Sequence, residues 1–146
     1  MGILCPCGVS VNASSQRNKV KFAFKCGTVT GNLTYCANVC ITTLKKSTLS
    51  LKFVDTECPN RKNFLFTANT ITSVVCKKDG QGCEVTINGT GIVNGKQYPF
   101  IAVFRDQVAT AAHDIVESFE IIGFFSQNGA VLVPQGSIIA LGCREL

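Results

Sequence analysis

The stretch GTGIVNGKQYPFIAVFRD, residues 89–106, decides the fold. At its centre Asn94-Gly95 supplies two residues that accept the positive backbone angles of a tight type I′ turn, and apolar runs flank it on both sides. This is the signature of a β-hairpin. The returning strand, Tyr98 to Phe104, is apolar at nearly every position, which predicts a central strand covered on both faces.

Working outward, the same period-two alternation recurs on both sides of the hairpin. In NKVKFAFKCG (18–27), Val20, Phe22, Phe24 and Cys26 fall on one face and Lys19, Lys21, Ala23 and Lys25 on the other. NLTYC (32–36), STLSLKFVD (47–55), FLFTANTITSVVC (64–76) and CEVTINGTGIV (83–93) read as strands, followed by SFEIIGFF (118–125), AVLVP (130–134) and SIIALGC (137–143). The turns between the last three are SQNG and PQG. Only DQVATAAHDIVES (106–118) departs from this, as a short helix or a long loop. The prediction is an all-β chain: an antiparallel sandwich or jelly roll of about eight to ten strands. Residues 18–146 form its single domain, preceded by a short extended connector, residues 1–17, that carries Cys5 and Cys7.

Composition narrows the function. The 146 residues are 46% apolar and only 16% charged, with a net charge of +5 spread thinly over the chain. That balance excludes a disordered tail, and the scattered lysines, without interleaved aromatics, argue against a nucleic-acid partner. No stretch approaches the roughly 20 apolar residues of a membrane span, so no membrane partner is expected. The first 20 residues lack the apolar core of a secretory signal: either a signal has been removed, or export follows a route that needs none.

Catalytic candidates are weak. His113, Asp114 and Glu117 are the one grouping with acid–base or metal-binding chemistry, but the chain has a single histidine, and a solvated polar loop is the simpler reading. The glycines of GTGIVNG lead into a strand, whereas a phosphate cradle leads into a helix. The expectation is no enzyme, no metal and no cofactor. Asn12, Asn32 and Asn88 fit the glycosylation pattern, which chance supplies easily in a chain rich in Asn and Thr.

The nine cysteines carry more. Zinc needs paired ligands on tight knuckles, and only Cys5/Cys7 and Cys36/Cys40 are close, with His113 far from both, so disulfides are favoured. Cys76 and Cys83 bracket a turn and would clip a hairpin. Cys26, Cys36, Cys40 and Cys58 lie near strand ends and allow three pairings, among them Cys26–Cys36 with Cys40–Cys58. Cys5, Cys7 and Cys143 remain, and one leader thiol folding back onto Cys143 is one solution. An odd count leaves at least one thiol free or bonded to another chain.

Two resemblances bear on function. The segments at 19–36, 89–107, 114–125 and 136–141 resemble a β-rich module of secreted and surface proteins of Gram-positive bacteria, with its "G-x-G-x-x-N-G" turn and "Y-x-F-x-V" strand. The added cysteines and the length of Asp114–Phe119 depart from that pattern. The layout of the N-terminus, with Cys5-Pro-Cys7 on a connector, is similar to that of bacterial endospore appendage subunits. That resemblance implies a self-assembling, disulfide-cross-linked fibre subunit, joined by strand-edge pairing and by its N-terminal connector, extracellular or on a spore or cell surface, whose partners are further copies of itself and a surface anchor protein. Cys5 and Cys7 would be the intermolecular donors, with Cys143 or a cysteine near a sheet edge as acceptor. The alternative is a monomeric secreted binding module for carbohydrate or surface adhesion, using the loop around His113 or the Phe124-Phe125 hairpin.

Overall fold

The computed structural model describes residues 5–23, 26–57, 62–80, 82–108 and 110–143. Its strands are β1 (Gly8–Phe22), β2 (Val29–Cys40), β3 (Thr48–Asp55), β4 (Phe64–Asp79), β5 (Gly82–Val93), β6 (Lys96–Asp106), β7 (His113–Ile121), β8 (Phe125–Gln127), β9 (Val131–Pro134) and β10 (Ile138–Leu141). A short 3-10 turn, Ile41–Lys46, joins β2 to β3.

The all-β expectation holds, with a different closure. Each strand from β1 to β8 pairs antiparallel with the next, and β8 returns to β1 through Val20↔Gln127, Lys21↔Ser126 and Phe22↔Phe125. The result is an eight-stranded antiparallel barrel rather than a sandwich or jelly roll. Full closure removes the sheet edges that a sandwich leaves open. The remaining strands fill the seam beside the short β8: β9 pairs with β7, and β10 pairs with β1.

The Asn94-Gly95 hairpin forms as read, with both residues at positive φ, 52° and 77°. Its returning strand differs from expectation. Phe100, Ala102 and Phe104 are buried while Ile101 and Val103 on the outer wall are only half-covered, because a barrel has one packed face and one wet one. The connector is also corrected. Residues 8–17 belong to β1, where Val9, Val11 and Ala13 point inward and Ser10, Asn12 and Ser14 outward. Residues 107, 108 and 110–112 lie in no strand or helix, and β7 begins at His113.

Aromatic rings fill the interior. Phe22, Phe53, Phe64, Phe124 and Phe125 pack with centroids 5.1–6.2 Å apart at the end where β1 finishes and β2 starts. Deeper in, Phe119 contacts Tyr35, Phe66 and Phe100, each at 6.1 Å. Large inward rings need small neighbours. A Cβ on Gly91 would overlap the Phe66 ring, so glycine there makes room for it.

Candidate functional site

With the interior packed by these rings, the chemistry of the described residues lies at the barrel's rims and wall. The antiparallel registers place the starts of β1, β3, β5 and β7 at one rim, together with the ends of β2, β4, β6, β9 and β10. Three intrachain disulfides gather there: Cys5–Cys40, Cys7–Cys76 and Cys83–Cys143, with Cα separations of 5.9, 5.8 and 5.7 Å. β1 and β4 are not neighbours in the sheet, so Cys7–Cys76 spans the barrel mouth. Ile41 N donates to Cys7 O at 2.9 Å, and Gly142 lies against the Pro6 carbonyl, so the two terminal segments cross beneath the barrel. Three disulfides fit an oxidising, extracellular environment.

Cys40, Cys76 and Cys83 form intrachain bonds as expected, but with other partners than the sequence reading gave them. Cys5, Cys7 and Cys143, expected to reach another chain, are bonded within this one. Cys76 and Cys83 do not clip their hairpin: Lys78↔Cys83 is the register, which leaves Cys76 opposite Val85. Cys40 takes Cys5 as its partner, while Cys26 and Cys36 stay unpaired and exposed. Cys58 lies outside the described residues.

A recess of about 560 Å³, open to solvent, sits at the disulfide rim between the start of β5 and the ends of β4, β6 and β10. Both Cys83 and Cys143 line it, with Lys78, Gly82, Asp106 and Ala140. Asp106 accepts a hydrogen bond from Ala140 N at 2.8 Å, tying the outer edge of β10 to β6. Burial raises the Asp106 carboxyl above its ordinary value, partly opposed by that hydrogen bond, and the nearby Asp114 charge raises it further.

His113, Asp114 and Glu117 do not make one site. Asp114 is fully buried, and its two oxygens accept from Gln107 N at 2.9 Å, Gly136 N at 2.9 Å and Ile138 N at 3.0 Å. It is a structural clasp joining the β6–β7 loop to the β9–β10 turn, not part of a solvated loop. His113 is exposed. Glu117 occupies a β-bulge on the outer wall, where the register slips between Val103 and Phe104. Burial raises its carboxyl, a hydrogen bond with Glu84 adds to this, and Arg105, 3.9 Å away, partly opposes them. Arg105 is committed to Asp79 at 2.8 Å. Among the described residues no group of three or more His, Cys, Asp or Glu is arranged to hold a metal ion.

Phe124 and Phe125, which a carbohydrate platform would need to expose, are 8% and 3% accessible. Burial also pushes the Tyr35 phenol above its ordinary value; its hydroxyl donates to Gln127 Oε1 inside the barrel.

No family model matches this chain. The curated proteins and the solved structures likewise give no significant match. Among the described residues no helix is long and apolar enough to cross a membrane.

Proposed function

We propose that this chain is a structural subunit of an extracellular or spore-surface fibre, a disulfide-hardened barrel that joins to copies of itself through thiols outside its own three bridges. One observation carries the reading: six cysteines close the chain upon itself at one rim, while Cys26 and Cys36 remain exposed elsewhere. In an oxidising setting, exposed thiols on a rigid module are cross-linking points. The donors are therefore Cys26 and Cys36 in place of Cys5 and Cys7. The outer wall suits lateral contact with like surfaces. In one row across it, Asn12, Cys36, Ser50 and Thr67 stand side by side and carry no charge.

The test is electrophoresis of protein purified without reductant, run with and without a thiol reagent. Ladders of chain multiples that collapse on reduction support the reading, and blocking thiols with iodoacetamide at lysis should prevent new ones. A monomer in both lanes would sink it. The open recess at the disulfide rim would then favour a monomeric binding module, and a glycan array would be the next experiment.

A further inference from the structure

Cys26 and the three disulfides lie at opposite ends of the barrel. Cys26 sits in the bend between β1 and β2, beside Gly27 at φ 81°, beyond the end of the barrel where the phenylalanines gather. The Cys83–Cys143 disulfide lines the recess at the other rim. A contact between unlike ends of identical molecules is head-to-tail, and one that does not close on itself propagates as a filament.

Of the three bridges, Cys83–Cys143 is the one whose two cysteines line the open recess. Cys143 follows the last rung of β10, Leu141↔Gly8, so its side chain can change partner while the Leu141–Ile138 ladder and the Ala140–Asp106 hydrogen bond stay intact. Cys7, in contrast, is pinned by the Ile41 hydrogen bond, and Cys76 lies within the paired run of β4; Cys5, ahead of the first rung of β1, is tethered as loosely as Cys143 but does not line the recess. Cys83 is 7% exposed and is held in the ladder between Lys78 on β4 and Asp106 on β6. Cys36 is unsuited to enter a recess, because it stands in the middle of the β2 wall between Thr34 and Asn38.

We infer that the recess is the acceptor for Cys26 of a second copy, and that subunits link head-to-tail by thiol–disulfide exchange. The Cys26 thiolate attacks Cys143 Sγ of the next subunit. The Cys26–Cys143 bond forms as the Cys83–Cys143 bond breaks, and the electron pair leaves on Cys83 Sγ, which takes up the proton that Cys26 gave up. One disulfide replaces another and no oxidant is consumed. This inference rests on the fibre reading above and names its chemistry.

The experiment incubates size-selected monomer under nitrogen without reductant, then alkylates, counts thiols and maps cross-linked peptides. Ladders should form with no change in total titratable thiol, with peptides joined through Cys26 and Cys143 and with Cys83 newly alkylated. Cys26→Ser, at an exposed bend, should stay monomeric with an unchanged melting temperature, and the double replacement Cys83→Ser with Cys143→Ser should also stop growth. Ladders linked through Cys26–Cys26, Cys36 or Cys58, or ladders that need air and lose two thiols per link, would overturn the exchange while leaving the fibre reading in place. No ladder under any condition, in air included, would overturn both.

Discussion

Replacing both Cys7 and Cys76 by alanine removes the bridge across the barrel mouth without leaving a lone thiol. The bridge joins residues 69 apart in sequence, and the loop-closure model assigns such a cross-link about 4 kcal/mol, through the entropy it removes from the unfolded chain. Unfolding 146 residues carries an entropy of about 0.3 kcal/mol per kelvin, so the melting temperature should fall by roughly 13 °C. Scanning calorimetry on unreduced protein measures this directly. Cys26→Ser is the control, since an exposed replacement should stay within about 0.5 kcal/mol. The loops closed by Cys5–Cys40 and Cys7–Cys76 overlap, so each single loss is buffered by the bridge that remains, and removing both should cost more than the sum of the two single losses. A Cys7/Cys76 double variant that melts within 2–3 °C (roughly 1 kcal/mol) of the parent would refute the staple.

Asp114→Asn keeps the size of the clasp but leaves one acceptor oxygen for three backbone donors; urea unfolding should show a loss of about 2–3 kcal/mol, with faster hydrogen exchange at Gly136 and Ile138. Phe66→Ala should cost about 3–5 kcal/mol, read by the same unfolding curve, because its ring is wholly enclosed against Phe100 and Phe119. Glu117 has a raised carboxyl pKa in the folded state, so the native chain holds the extra proton between the ordinary carboxylate range and that raised value, and stability falls as pH rises through this window. Glu117→Gln should flatten that part of the melting temperature–pH profile and raise stability at neutral pH; an unchanged slope would contradict the assignment.

Much of the strand pattern was legible, because in a barrel wall side-chain direction follows local alternation. Val20 and Phe22, Leu49, Leu51 and Phe53, and the Asn94-Gly95 turn all fall where period two and turn chemistry put them. Closure was not legible, since Val20↔Gln127 joins distant residues through nothing local. The disulfides inherit that difficulty: Cys7 meets Cys76 only after four strands have curled round. The β1 extension did leave a signal in Val9, Val11 and Ala13 against Ser10, Asn12 and Ser14, masked by the small size of these side chains. In β7 the inward set 114, 116, 119, 121 breaks period two at the Glu117 bulge, which is why that segment reads locally as helix or loop. Its inward phase is also the one sequence sign that Asp114 is a buried carboxylate and not a loop residue.

If the barrel is a unit of a covalent fibre, electron microscopy of protein isolated without reductant should show filaments that fall apart on reduction, and their absence when both Cys26 and Cys36 are replaced by serine. A field of single barrels at the same concentration, unchanged by reductant, would contradict it.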